Sequence, residues 1–209
     1  MVTSPRTPPP ADDSDWDRKR RDILNGAAEV FFEHGFERGT TKEIAERVGL
    51  SQPSIYHYVG AKKELIAEIA RQVDRDFTEA LERGLRDAAD PAEQLRNVIV
   101  AFTEALAVNR LTWAVYWQEQ RAIPADVAEA VYDSQLQYVR RVDAVVRRCQ
   151  EAGVLPAEHP THVLTEAILG MLSWTYRWYK PEGRYGPEEL AGAFSDLLGL
   201  SAGAAAARG

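Results

Sequence analysis

The span from Gly49 to Leu65, GLSQPSIYHYVGAKKEL, carries side chains suited to hydrogen bonding rather than to a core. It places Ser-Gln-Pro-Ser, a Tyr-His-Tyr cluster and two lysines close together. A core segment would not carry so many hydroxyl groups, and a solvated loop would not carry Ile55 beside two tyrosines. The span is therefore expected to present polar side chains to a molecule outside the chain.

Residue types that support catalysis are present, but their spacing does not fit a catalytic or metal site. The four histidines are His34, His57, His159 and His162, and none stands at metal-ligand spacing with acidic residues. The sequence contains no G-x-S-x-G, no Gly-rich phosphate loop and no H-E-x-x-H. Cys149, the only cysteine, is expected to be a buried thiol. We therefore expect a protein that is not an enzyme, with no catalytic residue, metal or cofactor.

The composition is that of a folded protein, because 45% of the 209 residues are hydrophobic and 27% are charged. No apolar run approaches the roughly 20 residues that cross a bilayer. The polar N-terminal stretch lacks the apolar region of a secretory signal. A single cysteine excludes an intramolecular disulfide. The sequence therefore predicts a cytoplasmic protein that does not contact a membrane.

The formal net charge of −7 would ordinarily argue against a nucleic-acid partner. The charge is unevenly distributed, however. Residues 16–65 hold nine Lys/Arg and eight Asp/Glu, whereas residues 66–209 hold fifteen and twenty-one. The N-terminal part can still bind phosphates if its cations share one face, so charge alone leaves the partner open.

Hydrophobic residues recur at helical spacing from about residue 16 onward, which predicts an all-α fold of about nine helices without a strand. Residues 1–15 are expected to be a disordered tail and residues 202–209 a frayed one. Residues 16–61 should form a three-helix module, and residues 62–201 a second helical domain. Helices of that domain are predicted from Lys62 to about Ala89, Asp90 to Val108, Leu111 to Arg121, Pro124 to Gly153, Pro160 or Thr161 to Tyr179, and Pro187 to near Leu200.

The three-helix module contains the local signals of a helix–turn–helix. Thr40 and Glu43 form a capping-box pattern at the start of one short helix, which Gly49 ends. Ser51 offers an N-cap for the next helix, and Pro53 stands in its first turn, where a missing N–H costs nothing. The alternative is an ordinary pair of core helices. The agreement of caps, glycine and apolar positions favours the helix–turn–helix.

The segment FFEHGFERGTTKEIAERVGLSQPSIYHYVGAKKELI resembles the DNA-binding module of the TetR family of transcriptional regulators. The matching features are the aromatic pair before His34-Gly35-Phe36, the Thr-Thr cap, Ile44-Ala45, Val48-Gly49-Leu50-Ser51, Ile55-Tyr56 and the Lys62-Glu64-Leu65 helix start. Two positions depart from the family pattern. Val59 stands where Phe is usual, and Ala61 replaces a usual Ser, Asn or Asp N-cap, so the following helix should start about 1 kcal/mol more weakly.

The resemblance implies a recognition helix in the major groove of double-stranded DNA. Gln52 and Ser54 would then read base edges, and Pro53 would add apolar contact. The residues expected to contact phosphates are Thr41, Lys42, Tyr56, His57 and Lys62. Tyr56 is alternatively a core tyrosine, and Tyr58 either faces the groove or packs inward. The basic run 18–21 either grips the flanking DNA or is a solvated helix start.

The family also implies a homodimer that binds a pseudo-palindromic operator. The last two helices are expected to pack against their symmetry mates as a four-helix bundle. The candidate dimer residues are Leu164, Ile168, Leu172, Leu190, Phe194 and Leu197. Their alternative role, for about half of them, is as core of a single chain.

Four of the five tryptophans form two pairs at i, i+4 spacing, so each pair lies on one helix face. Trp113 and Trp117 form the first pair, and Trp174 and Trp178 the second. Together they predict a large apolar cavity for a lipophilic ligand. The polar anchors predicted beside them are Tyr116, Arg121, Tyr132 and Arg177. The alternative is that most of these rings fill the core or the dimer interface.

The segment GMLSWTYRWYKPEGRYGPEELAGAFSDLL resembles the C-terminal part of TetR-type repressors of lipid or steroid catabolism, several of which respond to acyl-CoA thioesters. The resemblance implies a repressor whose effector is a fatty or polycyclic acyl thioester. Cations available for its phosphates are Arg110, Arg121, Arg140, Arg141, Arg147 and Arg148. A transcriptional activator of the same fold, and a helical carrier without a DNA role, are the alternatives.

Overall fold

The computed structural model describes residues 13–86 and 88–200, and all regular structure within them is helical. The α-helices are α1 Asp13–His34, α2 Thr41–Arg47, α3 Gln52–Val59, α4 Lys62–Leu85, α5 Pro91–Gln118, α6 Ala125–Glu151, α7 Thr161–Trp174 and α8 Pro187–Leu197; 3-10 turns span Gln120–Ala122 and Thr175–Arg177. The all-α prediction is confirmed. Because α1 begins at Asp13, the predicted tail of residues 1–15 is three residues too long. Its residues 1–12 and the predicted tail 202–209 lie outside the described residues.

Helices α1, α2 and α3 pack around a small apolar centre in which Ile23, Ile44 and Ile55 are completely buried. The predicted caps are confirmed on both short helices, because the side chains of Thr40 and Ser51 each accept a backbone N–H of the following turn. These caps satisfy amides that the first helical turn leaves without partners. The three helices therefore form the expected module.

Helix α4 leaves this module and runs against α5, which is the central helix of the second domain. Ala61 makes no side-chain cap at the start of α4, as predicted. The two helices approach closely at Gly84, where an added Cβ would lie 2.5 Å from the backbone nitrogen and Cα of Val98. Only glycine permits this crossing distance.

The described residues form eight α-helices where about nine were predicted, and the difference lies in α5. The helices predicted to end at Val108 and to start at Leu111 form the two segments of α5, which meet at a kink at Asn109, where the backbone is not helical (φ −110°, ψ 24°). By length and composition α5 is also the one described helix that could cross a membrane, which differs from the expectation that no apolar run is long enough. Most of its apolar side chains from Leu95 to Tyr116 instead lie in the protein core, whereas Val108 is 82% exposed.

Candidate nucleic-acid interface and ligand cavity

The turn between α2 and α3 is shaped by local hydrogen bonds. The Glu43 carboxylate accepts from the backbone N–H of Thr40 at 2.8 Å, and the Thr40 hydroxyl accepts from the N–H of Glu43 at 3.2 Å. Gly49 then adopts φ +68°, a left-handed conformation that glycine tolerates without strain. Ser51 restarts the chain and accepts from the N–H of Ser54 at 3.3 Å. The exposed face of α3 is thus held at a fixed angle to α2.

Three side chains predicted to contact DNA meet at the Thr41 hydroxyl. The Gln52 amide donates to the Thr41 Oγ1 at 2.9 Å, and the Tyr56 hydroxyl lies 3.2 Å from the same atom. Thr41 is buried, whereas Tyr56 is 51% exposed. The structure therefore places Thr41 as a bridge between α2 and α3, and leaves the ring of Tyr56 facing outward.

The remaining predicted contacts lie at or near the same surface. Lys42, Pro53 and His57 are exposed, and Ser54 is half-buried with its hydroxyl 2.7 Å from that of Ser51. Lys62 is already engaged, because its ammonium donates to the Glu37 carbonyl at 3.0 Å and lies 4.5 Å from the centre of the Phe36 ring. Gln52, Pro53, Tyr56 and His57 share one helix face by their spacing, and α3 presents this face to solvent.

Trp16, which was not among the predicted site residues, is part of this surface. Its ring lies 4.4 Å from that of Tyr58 and 5.3 Å from that of His57, so the first turn of α1 packs across the end of α3. Tyr58 therefore packs inward rather than facing the groove. The aromatic type of Trp16 and its isolation from the other tryptophans were the available signals. Only the fold shows which helix it meets.

The basic run at the start of α1 is partly neutralised. Arg18 and Lys19 both pair with Asp15, and Arg20 pairs with Glu68 of α4 at 3.1 Å. Arg20 therefore ties the module to α4. These ion pairs are mostly exposed and contribute little stability individually.

A second ion pair fixes α2 on α1. The Arg47 guanidinium donates two hydrogen bonds to the Glu33 carboxylate, at 2.7 and 2.8 Å, and a third to Glu29 at 3.3 Å. The hydrogen bond from Arg47 lowers the pKa of Glu33 below its usual value. This paired geometry orients the two helices rather than adding much stability, because the groups are exposed.

The two domains meet where α5 ends. The Glu119 carboxylate accepts a hydrogen bond from the backbone N–H of Phe36 at 3.1 Å, in the loop between α1 and α2. An added Cβ at Gly35 would lie 3.3 Å from the same carboxylate oxygen. The end of α5 is thus in direct contact with the loop that precedes the helix–turn–helix.

A buried carboxylate stands at the kink of α5. Asp76 of α4 accepts hydrogen bonds from the Trp113 indole at 3.0 Å, the Asn109 amide at 2.9 Å and the Gln72 amide at 2.8 Å. Burial raises the pKa of Asp76, and these three hydrogen bonds oppose the rise. Because Asn109 is the kink residue, Asp76 fixes the bend of α5 against α4.

A largely apolar cavity of about 260 Å³ lies between α4, α6 and α7, and is called the α6–α7 cavity below. Its described lining is Phe77, Trp117, Gln135, Tyr138, Val139, Glu166, Leu169, Gly170 and Ser173. The Tyr138 hydroxyl and the Trp117 indole N–H are both buried and have no hydrogen-bond partner among the described residues. Burial also raises the pKa of Tyr138 well above its usual value, so its hydroxyl stays a donor.

A second cavity of about 250 Å³, the α5–α6 cavity, lies on the other side of Gln135. Tyr116 and Tyr132 line it, and the Gln135 amide donates to the Tyr116 hydroxyl at 2.8 Å. Gln135 also lines the α6–α7 cavity, so its side chain separates the two spaces. A larger cleft of about 360 Å³ lies between α1 and the kink of α5, but its lining is mainly polar.

The structure does not bring the four paired tryptophans into one cavity. Trp113 is fully buried and stacks on Phe77 at 4.6 Å, so it belongs to the core and stands behind the wall of the α6–α7 cavity. Trp117 lines that cavity. Trp174 and Trp178 are half-exposed on the outside. Arg177, whose guanidinium lies 5.2 Å from the Trp174 ring, and Arg121 are exposed and line neither cavity.

The candidate dimer residues also divide. Ile168, Leu172 and Leu190 are buried inside the single chain and belong to its core. Leu164 and Phe194 are half-buried against that core, and Leu197 is 74% exposed. The helical period was read correctly, but it does not show which side of α7 and α8 faces inward. The exposed residues on the outer side of α7 and α8 are Val163, Ala167, Trp174, Ala193 and Leu197, and Gly170 lies between this side and the α6–α7 cavity.

Groups that would suit metal or thiol chemistry are not assembled. Among the described residues no three His, Cys, Asp or Glu side chains are placed to hold a metal ion. Cys149 is buried, and burial raises the pKa of its thiol to about 11. A thiol in this state is a poor nucleophile at neutral pH.

A helix–turn–helix module with an exposed polar helix, joined to a second helical domain that holds a cavity, is the architecture of a transcriptional regulator. Residues 23–69 match the family described as "bacterial regulatory proteins, tetR family". Residues 88–200 match the family described as "tetracyclin repressor-like, C-terminal domain". The chain belongs to the TetR family of transcriptional regulators.

Known proteins align over almost the whole chain. The HTH-type transcriptional repressor KstR2 of Rhodococcus jostii (strain RHA1) is 25% identical over 201 residues, which cover 92% of this chain and 95% of KstR2. The crystal structure of PfmR from Thermus thermophilus superimposes with a TM-score of 0.76 and 30% identity, covering 84% of this chain and 96% of PfmR. AibR in complex with isovaleryl coenzyme A and operator DNA has the same fold, with a TM-score of 0.72, 24% identity and coverage of 86% and 97%.

Proposed function

We propose that this protein is a cytoplasmic homodimeric repressor that binds a pseudo-palindromic operator and leaves it when a small lipophilic effector binds. The observation that carries the proposal is the exposed polar face of α3 with Gln52, Tyr56 and His57, held by two capped helices. The repressor relative KstR2 supports the direction of regulation.

The proposed DNA contacts divide by chemistry. Gln52 and Ser54, on the first turn of α3, are proposed to read base edges, since a glutamine amide pairs bidentately with adenine. Pro53 beside them is exposed and offers apolar contact. Lys42 and Tyr56 are exposed and carry polar groups that suit phosphates, which fix register rather than sequence. Thr41 supports this set from beneath, because its hydroxyl holds both Gln52 and Tyr56.

His57 and Lys62 complete the proposed phosphate contacts. His57 is exposed beside Trp16, so its free ring edge can donate to the backbone of DNA. Lys62 would exchange its hydrogen bond to the Glu37 carbonyl for a phosphate oxygen. Its position over the Phe36 ring keeps the ammonium close to the same surface.

The homodimer is proposed to form through the outer faces of α7 and α8. Trp174 is 56% exposed there, and Leu197 is more exposed still. Ala167 and Gly170 are small and exposed on the same side of α7, which allows close approach of a symmetry-related helix. Two recognition helices roughly 34–36 Å apart would then reach successive turns of the DNA.

The effector is proposed to bind in the α6–α7 cavity. This cavity combines a largely apolar lining with two buried polar groups, on Tyr138 and Trp117, that have no hydrogen-bond partner among the described residues. AibR, which binds isovaleryl coenzyme A, supports an acyl-CoA thioester as the class of effector. A cavity of about 260 Å³ suits a short acyl chain rather than a polycyclic one, since drug-sized sites span roughly 300–1,000 Å³.

Release from DNA is proposed to follow from thermodynamic linkage between effector binding and operator binding. An effector that prefers a conformation with misplaced recognition helices lowers operator affinity by its differential binding energy, about 1–3 kcal/mol. Phe77 connects the cavity wall to α4, and Glu119 connects the end of α5 to the loop before α2. Both helices therefore link the cavity to the DNA-binding module.

A gel shift tests the proposal with DNA from upstream of the protein's own coding region. We expect a saturable complex with that DNA and at least tenfold weaker binding to scrambled DNA. Saturating pentanoyl-CoA should weaken the specific complex. Equal affinity for both DNAs would refute the operator-binding role, and an unchanged complex at saturating effector would refute induction by that compound.

A further inference from the structure

Two hydrogen-bond donors in the α6–α7 cavity have nothing to bond within the described part of the chain. The Tyr138 side chain is 7% exposed, and its hydroxyl has no partner there. The indole N–H of Trp117 is buried in the wall of the same cavity and is equally unpaired. Buried polar groups in folded proteins are nearly always satisfied, so each exception calls for an explanation. A ligand that accepts hydrogen bonds explains both.

The rest of the lining restricts the acceptor to a neutral group. Phe77, Val139 and Leu169 are apolar, and no lysine or arginine occurs among the described residues of the lining. Its one charged side chain is Glu166. An anionic carboxylate would lose its hydration there without gaining a cation, and Glu166 would repel it. A carbonyl oxygen carries no such cost and accepts two hydrogen bonds.

We infer that the α6–α7 cavity binds a neutral carbonyl compound with a short apolar chain, whose oxygen accepts hydrogen bonds from Tyr138 and Trp117. This inference rests on the proposed function, since it specifies the effector of the same cavity. An acyl thioester, an ester and a ketone share this chemistry, and the free acid does not. The recognised feature is the carbonyl, with the chain filling the apolar remainder.

The sharpest probe pair differs only in the carbonyl. Pentanoyl-CoA carries a thioester, and S-pentyl-CoA is the thioether with the same chain and the same coenzyme. Isothermal titration should give at least tenfold tighter binding of the thioester. Methyl pentanoate and 2-heptanone test whether the carbonyl is recognised without coenzyme A, and pentanoate should bind more weakly than either. Equal affinity for thioester and thioether would overturn the inference.

Variants identify the donors. Tyr138→Phe and Trp117→Phe should each weaken thioester binding about tenfold and leave thioether binding unchanged. Tyr116→Phe is the matched control, because the Tyr116 hydroxyl already accepts from Gln135 beside the α5–α6 cavity. It should leave the thioester-to-thioether ratio unchanged. A Tyr138→Phe variant that weakens both ligands equally would refute the carbonyl contact.

Thermal unfolding of the free protein gives an independent readout. Tyr138→Phe removes a hydroxyl that has no partner, so its melting temperature should hold or rise, whereas Tyr116→Phe should melt lower because it loses a hydrogen bond. A marked fall for Tyr138→Phe would show that the hydroxyl is satisfied in the free protein and would overturn the inference. Operator binding separates the two proposals. If the operator is bound but no carbonyl probe binds, only the inference fails; if carbonyl probes bind but the operator does not, only the DNA-binding role fails.

Discussion

The carboxylate of Glu119 accepts a hydrogen bond from the backbone N–H of Phe36 at 3.1 Å, which joins the residue that follows α5 to the loop before α2. Trp117 lines the α6–α7 cavity only two residues before Glu119. A displacement of the end of α5 by a ligand would therefore reach the loop that leads into the helix–turn–helix. This short path is a physical connection between the cavity and the DNA-binding module.

Removing the Glu119 carboxylate should weaken the contact between the end of α5 and the loop before α2. In Glu119→Ala the Phe36 amide loses its acceptor, and we expect its hydrogen exchange to accelerate about tenfold, since a lost hydrogen bond costs about 1 kcal/mol. Glu119→Gln is the matched control, because its amide oxygen can still accept. Exchange of Phe36 in Glu119→Ala at the wild-type rate would contradict the contact. Effector-induced release from the operator should also be weaker in the alanine variant.

The proposed DNA contacts predict two different kinds of loss in DNA affinity. Gln52→Ala should cost about 1–3 kcal/mol on the specific operator and relax sequence preference, since it removes the proposed base-edge reader. Lys42→Ala should weaken all DNA sequences similarly and reduce the salt dependence by about one phosphate contact. Fluorescence anisotropy at several salt concentrations, on specific and scrambled DNA, separates the two. If Gln52→Ala lowered affinity for both DNAs by the same factor, Gln52 would not be a base reader.

Thr41 allows a subtler test of the same surface. Its hydroxyl contacts both Gln52 and Tyr56, although its own side chain is buried. Thr41→Val keeps the shape and removes the hydroxyl, so we expect roughly tenfold weaker specific binding with a loss of at most about 1–2 kcal/mol in stability. Thr40→Val is the comparison, because it breaks the N-cap and should act mainly on stability, by about 1 kcal/mol. Specific binding of Thr41→Val at the wild-type level would contradict a positioning role for this hydroxyl.

The crossing of α4 and α5 depends on Gly84. Gly84→Ala would place a methyl group 2.5 Å from the backbone of Val98, which cannot move aside as a side chain can. We expect a loss of about 1–3 kcal/mol in the free energy of unfolding, measured by urea denaturation. Gly192→Ala is the control on α8, because no atom lies within 4 Å of its added Cβ. A Gly84→Ala variant as stable as the control would show that the helices do not approach this closely.

The raised pKa of Asp76 predicts how the stability of the folded chain depends on pH. Its pKa is raised in the folded state by burial, so the folded chain binds this proton more tightly than the unfolded chain does. The contribution of Asp76 to stability is therefore greatest below the unfolded pKa and falls as pH rises toward the folded pKa. Asp76→Asn lacks this titration, so its stability relative to wild type should improve between about pH 4 and 7. If the free energies of unfolding of the wild type and of Asp76→Asn differ by the same amount at about pH 4 and pH 7, the raised pKa of Asp76 is contradicted.

The dimer proposal is tested on the outer faces of α7 and α8. Trp174→Glu and Leu197→Glu each place a charge on a strongly exposed apolar position, and the pair together should give a monomer by sedimentation. Tyr185→Glu is the control, because Tyr185 is similarly exposed but lies in the loop before α8. A wild-type sedimentation mass equal to one chain would exclude the homodimer, and an unchanged dimer in the double variant would place its interface elsewhere.

Much of the DNA-binding module could be predicted from sequence because its signals are local. The Thr40 capping box, the left-handed Gly49 and the Ser51 cap each involve residues within four positions of one another. Residue type and spacing are therefore enough to predict such interactions. The helix boundaries of α2 and α3, and the outward face of α3, followed from them.

The second domain was less predictable, because helical spacing shows that residues share a face but not what the face meets. Trp113 and Trp117 share a face by spacing, yet Trp113 joins the buried Asp76 cluster and Trp117 lines a cavity. Ile168 and Leu172 proved to be core, whereas Trp174 on the same helix faces out. The predicted break between two helices falls at the kink at Asn109, but only the structure shows that Asp76 on α4 holds this bend.

The sequence by itself determined the fold class, the helix–turn–helix and the residues on its exposed helix, since these follow from contacts between near neighbours in the chain. The tertiary structure alone decided which side chains are left unpaired in a cavity and where the two domains touch. Trp16 meets Tyr58, and Glu119 meets Phe36, across long stretches of chain. Such contacts depend on how whole helices pack, and no local pattern encodes them.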